Sequence, residues 1–462
     1  MDRPDFAQAQ WGVKVASLDT GAVLFSRNAE KLLKPASNAK LFTAALALDR
    51  LGPDYRIKTS CYASAAPDAD GTLHGDLLVY GRGDPSFSAR FNTGNYSKAL
   101  EPLIDAIVKA GIKKIEGAIV GDDSYFSGPQ YGAEWTWDDL QNYYGAPASA
   151  LTCQDNVIDL SFRPGAEVGA PLRIQTLPST TFIVFSNRTE TVSSHAENRI
   201  RIYSPPGQNV AYVWGQMTTN AFARPDSIPV GNPALWFVTM LRDALAERGI
   251  SIAGPPRSVN WLDRQAAPVD LSRLVEVASA ESRPISEIVR LTLKPSENLY
   301  AQLLLLQVGA HAKPDARNTE AAGLAEERAF LAEAGIDANS VRLDEGSGLS
   351  RTCLVTPSAI VQLLTFMAHH RSCAAFTNAL PIAGVDGTLR NRFKGTAAAQ
   401  NIHAKTGSLS GVDTLSGYCT NRAGDHLVFS IMLNNYPETP AAIPGRAAVD
   451  DLARAIVESS TP

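Results

Sequence analysis

The chain has 462 residues, 45% of them hydrophobic and 19% charged, with a formal net charge of −5 and a pI of about 5.9. That length exceeds what one hydrophobic core serves, so two or three domains are expected. The absence of a basic stripe or Lys/Arg run argues against a nucleic-acid partner, and no run of 18 apolar residues is present to span a membrane.

The first residues, Met1-Asp2-Arg3-Pro4-Asp5, are polar and have no secretory character. From residue 11 to 28 the chain alternates around Asp19-Thr20-Gly21, which predicts a β-hairpin. Lys34-Pro35-Ala36-Ser37-Asn38-Ala39-Lys40 then reads as an extended segment followed by a helix start, with Ala36 or Ser37 as the cap. The helix is expected to end near Leu51-Gly52-Pro53. Ser37 and Lys40 share one face of that helix. A hydroxyl at a helix N-terminus, one turn from an amine, has a base for its proton and backbone N–H groups aimed at a developing oxyanion. The lysine serves as base once burial or a neighbouring cation lowers its pKa. For this stretch alone the alternative is a capping serine and a solvated lysine, because Ser-x-x-Lys arises by chance roughly once or twice in a chain this long.

Short strands broken by Ala66-Pro67-Asp68-Ala69-Asp70-Gly71 and Gly81-Arg82-Gly83-Asp84-Pro85 are expected over 55–87. A helix over 97–110 and a strand over 115–121 follow. The Trp135-Thr136-Trp137-Asp138-Asp139-Leu140 and Tyr143-Tyr144-Gly145-Ala146-Pro147 segment is an aromatic, acidic loop, either packed structure or the wall of a cleft. Residues 157–215 carry strand and turn signals almost throughout, and 233–248 a helix. From about residue 272 the pattern is helical, with helices over 285–293, 299–308 and 319–334, and one from Thr356-Pro357 to His369. Lys294-Pro295-Ser296-Glu297-Asn298 lies between the first two. Strands over 412–420 and 426–433 follow, then a last helix from about 443 to 459. Five cysteines (Cys61, Cys153, Cys353, Cys373, Cys419) have no metal spacing, and the histidines form no H-E-x-x-H pattern. Neither a metal nor a cofactor is expected, and one disulfide is left open.

Three motifs in one order change the weight of the serine: Ser37-x-x-Lys40, Ser296-x-Asn298 and Lys405-Thr406-Gly407. The Ser296 hydroxyl can relay a proton between Lys40 and a leaving group. The Asn298 amide can hold a substrate carbonyl beside Lys40. Lys405 supplies positive potential, the Thr406 hydroxyl binds a carboxylate, and Gly407 lets a substrate backbone lie close. A Lys-Thr-Gly triplet is expected by chance only about 0.1 times in such a chain.

With these motifs the chain resembles the class C low-molecular-mass penicillin-binding proteins, the D-alanyl-D-alanine carboxypeptidase/endopeptidase family. Tyr80-Gly81-Arg82-Gly83-Asp84-Pro85, Trp137-Asp138-Asp139-Leu140, Gly346-Ser347-Gly348-Leu349-Ser350-Arg351 and Ala383-Gly384-Val385-Asp386-Gly387-Thr388-Leu389 carry the same resemblance. At Asp344-Glu345-Gly346-Ser347 an extra residue precedes the Ser-Gly-Leu-Ser-Arg run.

The resemblance implies an α+β multidomain chain. A penicillin-binding/β-lactamase-like transpeptidase domain, an antiparallel sheet flanked by helices, would take residues 1–53 and 271–462. An inserted α/β domain would take 54–160 and 214–270, with a nested all-β domain at 161–213. It further implies attack by Ser37 on a D-Ala-D-Ala bond or D-amino-acid cross-link, and a neutral Lys40 in cationic surroundings as base. Ser296 and Lys405 would pass the proton to the leaving amine. The N–H groups of Ser37 and Ser408 would form the oxyanion hole, Thr406 and Ser408 would hold the terminal carboxylate, and Asn298 the acyl-side amide. Asp139, Tyr144 and Arg351 would bind a diaminopimelate-type stem peptide. The implied partners are peptidoglycan stem peptides and β-lactams, and the implied location is periplasmic or otherwise extracytoplasmic. A β-lactamase or esterase on the same fold, and a non-catalytic peptidoglycan-binding protein, are the rivals. The intact Ser37, Lys40, Ser296 and Lys405 set argues against the second.

Overall fold

The computed structural model describes residues 1–437 and 444–460, which form two compact units. The first comprises Met1–Tyr55, Gly132–Trp135 and Arg283–Pro462, the second Arg56–Tyr131 and Thr136–Ser282.

The first unit is built on a five-stranded antiparallel sheet whose strands come from both chain ends. Their order is His403–Leu409, Val412–Thr420, His426–Asn434, Gln10–Ser17 and Val23–Arg27. Residues of both parities are buried along His426–Asn434, as expected of a strand covered on both faces. The terminal helix Gly445–Glu458 packs on this sheet through Val449, Ala453 and Val457. Its expected start at 443 lies outside the described residues.

The helix Ala39–Arg50 is buried on all sides from Ala39 to Leu48. It packs against helices Ile285–Leu293, Asn298–Ala312, Thr319–Glu333 and Pro357–Ala368. Leu41, Phe42, Leu46 and Leu48 are each fully buried, worth about 1.5–3 kcal/mol apiece in transfer free energy. The nucleophile segment is therefore anchored at the centre of the helical layer.

The second unit holds a five-stranded mixed sheet in the order Arg257–Val259, Ile119–Asp122, Leu77–Tyr80, Lys58–Ala63 and Val275–Glu281. The expectation of helix from residue 272 is corrected here. Val275–Glu281 pairs antiparallel with Lys58–Ala63, and the chain returns to the first unit only at Arg283. The segment Val275–Glu281 alternates apolar and polar residues on either side of a bulge between Glu276 and Ala278, which breaks the pattern in its middle.

Three three-stranded sheets complete the unit, one of them Val184–Val192, Val210–Thr218 and Arg199–Tyr203. Ile183, Ile200, Ala211 and Val213 of this region share one core with Trp236 and Phe237 of helix Pro233–Glu247. The expected helix over 97–110 is shorter, Glu101–Lys109, because Tyr96–Lys98 forms a separate 3-10 turn. The five cysteines are free thiols. No helix among the described residues is long and apolar enough to cross a membrane.

Candidate active site

Ser37 sits in the 3-10 turn Ala36–Asn38, directly before helix Ala39–Arg50. It does not cap that helix. Lys40 Nζ instead donates to Ser37 Oγ at 2.9 Å. Polar groups of the sheet hold the turn: Thr414 Oγ1 donates to Pro35 O at 2.9 Å, and Asn38 Nδ2 to Ser416 Oγ at 2.8 Å. Ser416 Oγ in turn donates to Ser430 Oγ at 2.9 Å. The nucleophile is thus fixed by two strands as well as by its helix.

Lys40 is fully buried. Besides Ser37, its Nζ donates to Asn298 Oδ1 at 2.6 Å and to Ser347 O at 2.8 Å, so all three ammonium donors are matched. Burial pushes its pKa down to about 8, while the Glu345 and Glu297 carboxylates pull the other way. Of the two causes expected for Lys40, burial or a neighbouring cation, burial is the larger, and it is opposed by the two carboxylates. Lys405 is also fully buried, and its Nζ donates to Ser296 Oγ at 2.8 Å and to Thr406 O at 2.7 Å. Burial first, and then the nearby Lys40 charge, hold Lys405 well below the usual lysine range. Two ammonium groups in one dry site repel, so one neutral amine is favoured.

Ser296 has φ of 70°, a left-handed conformation that is strained for serine. Asn298 is the first residue of helix Asn298–Ala312 rather than a loop residue, which fixes its amide against Lys40.

Two glycines let the parts approach. A Cβ on Gly407 would lie 2.3 Å from Thr414 Oγ1, 2.6 Å from Pro35 O and 3.0 Å from Ser37 N. Besides the reason expected from the sequence, this glycine is needed because its strand packs directly on the nucleophile turn. A Cβ on Gly348, whose φ is 77°, would lie 2.0 Å from Ala36 O.

The strand His403–Leu409 is an edge strand. Ala404 N donates outward, to Pro381 O. By the two-residue alternation, the N–H groups of Thr406 and Ser408 face the same open side. Ser408 follows Gly407, on which a Cβ would lie 3.0 Å from Ser37 N, so this stretch of the strand runs next to the nucleophile turn. Ser408 is exposed and Thr406 half-buried, with Thr406 Oγ1 donating to Thr388 Oγ1 at 2.8 Å.

Sequence reasoning missed Glu345. Its buried carboxylate accepts from Ser347 N and Oγ at 2.7 Å each, Gly348 N at 2.6 Å and Ser350 N at 3.3 Å. It thereby shapes the loop whose Ser347 O receives Lys40. The extra residue noticed in Asp344-Glu345-Gly346-Ser347 was the available signal.

Asp139 and Tyr144 belong to the second unit and Arg351 to the first. Asp139 is buried, and its Oδ2 accepts from Thr136 N at 3.0 Å and Thr136 Oγ1 at 2.6 Å. Tyr144 meets Tyr143 edge to face. Among the described residues no group of three or more His, Cys, Asp or Glu side chains is arranged to hold a metal ion.

Residues 1–456 match the D-Ala-D-Ala carboxypeptidase 3 (S13) family. The chain belongs to this family. The D-alanyl-D-alanine carboxypeptidase of Actinomadura sp. (strain R39) is 32% identical over 461 residues, covering 97% of this chain and 82% of that protein. DacB of Haemophilus influenzae is 26% identical over 446 residues, covering 92% and 85%. In structure, penicillin binding protein 4 from H. influenzae superposes with a TM-score of 0.82 at 24% identity, covering 98% of this chain and 97% of that one. A second structure of that protein, complexed with a β-lactam, gives 0.76 at 23% identity, covering 97% and 95%. The S13 assignment makes the chain a serine DD-peptidase with a penicillin-binding-protein fold.

Proposed function

We propose that the chain cleaves the D-Ala-D-Ala bond of peptidoglycan stem peptides through an acyl-enzyme on Ser37. The observation that carries this reading is the Lys40 cradle: a buried amine of lowered pKa, 2.9 Å from Ser37 Oγ and aimed by Asn298 and Ser347. In its neutral form Lys40 accepts the Ser37 proton as Oγ adds to the carbonyl carbon. The oxyanion is held by the N–H groups of Ser37 and Ser408. The proton passes through Ser296 and Lys405 to the D-alanine nitrogen, the C–N bond breaks, and D-alanine leaves. Water then hydrolyses the ester and regenerates Ser37. Thr406 and Ser408 receive the substrate's terminal carboxylate beside the Lys405 amine, and Asn298 its acyl-side amide.

A β-lactam, whose strained amide mimics this bond, acylates Ser37 and leaves slowly. Asp139, Tyr144 and Arg351 are assigned to the side chain of a diaminopimelate-type stem peptide, and the substrate places the protein outside the cytoplasmic membrane. Within the second unit, residues 161–213 are assigned to a nested β domain inserted in an α/β one.

The test is release of free D-alanine from a diacetylated L-Lys-D-Ala-D-Ala tripeptide. Turnover is expected to rise with pH through about 8, as Lys40 loses its proton. No D-alanine at any pH from 6 to 10 would sink the reading.

A further inference from the structure

The sheet formed by Val184–Val192, Val210–Thr218 and Arg199–Tyr203 has one face in the core of the second unit and one face outward. Along the central strand Ala211, Val213 and Met217 point in, while Tyr212 and Trp214 point out. Register puts Ser186 and Tyr203 beside Tyr212, Arg188 and Arg201 on either side of Trp214, and Arg199 beside Gln216. Tyr203 and Tyr212 stack with 24° between ring planes and centroids 6.2 Å apart. Tyr203, Tyr212 and Trp214 are 40%, 44% and 46% exposed.

A core-forming sheet has no use for three large rings on its water side. Contiguous exposed aromatic surface marks a site of interaction. Two guanidiniums, Arg188 and Arg201, flank Trp214, while Arg199 lies beside Gln216 with Glu190 on its other side and Glu197 as its ion-pair partner. The face therefore carries local positive charge in a chain whose net charge is −5.

We propose that this face is a docking site for the anionic amino-sugar glycan strand of peptidoglycan, an inference that rests on the substrate class proposed above. Pyranose rings offer flat C–H faces that stack on Tyr203, Tyr212 and Trp214. Carboxylates of the stem peptides carried along the strand pair with Arg188 and Arg201, whose planar forks suit them. The face contributes no group to bond cleavage. Its effect is avidity: holding the polymer at a second point raises the effective concentration of stem peptides, by about 10²–10⁴-fold where both sites engage together.

The test is cosedimentation of the full chain with purified sacculi, alongside benzylpenicillin acylation and tripeptide hydrolysis. For Tyr212→Ala/Trp214→Ala, sacculus affinity is expected to fall tenfold or more, with acylation and tripeptide turnover within twofold of wild type. Arg188→Gln/Arg201→Gln is expected to weaken binding and flatten its dependence on salt. Trp214→Phe, which keeps a ring, is expected to retain binding. Unchanged sacculus binding in both double variants would overturn the proposal. So would aromatic-dependent binding to a single-stranded oligonucleotide without sacculus binding, or a change of oligomeric state in the double variants in place of lost glycan affinity. A protein that shows no acylation, yet loses sacculus binding with Trp214 and Tyr212, would refute the enzymatic reading and uphold the docking site.

Discussion

The Lys40 cradle of the first unit and the aromatic sheet face of the second solve opposite problems. In the cradle, charge is taken out of water, so every donor needs a partner and every partner needs a fixed backbone. Lys40 has three acceptors, Glu345 has four donors, and Gly348 and Gly407 admit close backbone approaches. On the sheet face, charge and aromatic surface stay in water, and neighbours meet only through strand register. The cradle should be intolerant of one atom. The face should tolerate any single change and respond only to removal of its rings or its charge.

The largest effect expected is at the nucleophile. Ser37→Ala should lower kcat for tripeptide hydrolysis by about 10⁵-fold or more, and Lys40→Met should come close to it, because the pair acts as a unit. Sedimentation with sacculi should be unchanged in both. A parallel loss of binding would break the separation between the two regions.

Next is Gly407→Ala. Its Cβ would meet Thr414 Oγ1 and Pro35 O, so the strand has to move off the nucleophile turn. A displacement on the order of 1 Å should cost about 10²-fold in kcat/KM, with about 1–3 kcal/mol of stability. Wild-type acylation by this variant would show that the strand position is not critical.

Glu345→Gln sharpens the electrostatic side. Glu345 raises the Lys40 pKa, so removing its charge should move the acid limb of the kcat/KM profile below its wild-type position near 8. A limb that stays in place, measured from pH 6 to 9.5, would mean that Glu345 acts through loop shape alone.

The smallest effect concerns Glu327, a buried carboxyl whose Oε1 has no hydrogen-bond partner among the described residues. Burial pushes its pKa up to about 8. The folded state then holds a proton that the unfolded chain releases near the ordinary value of 4.5. Its contribution to stability is complete below that value and is lost as pH rises toward about 8. Glu327→Gln should narrow the fall in Tm between pH 5 and 8.5, and an unchanged fall would place that dependence elsewhere.

The three motifs were legible in the sequence because each carries a rare side-chain pattern, and the structure hydrogen-bonds Lys40 to Ser37 and Asn298, and Lys405 to Ser296. The first-unit sheet was legible because its hairpin alternates around Asp19-Thr20-Gly21 and its later strands are short apolar runs between turns. Glu345 was not, since a lone acid in a glycine loop reads as solvated until its four donors are seen. At Gly407 the sequence does not reveal that Thr414, Pro35 and Ser37 press on it. The strand Val275–Glu281 was lost to the helical stretch beside it, and its pairing with Lys58–Ala63 spans a separation that no local signal reports. The aromatic face escaped notice because outward and inward rings are told apart only by register.

The measurement that bears most directly on the account is the mass of the intact protein after exposure to benzylpenicillin, for wild type and Ser37→Ala. The account requires a wild-type mass higher by one drug molecule, stable over minutes, and no increase in the variant. A wild type that destroys the drug and returns at once to its free mass would make the chain a β-lactamase. An adduct that survives in Ser37→Ala would remove Ser37 from the centre of the chemistry.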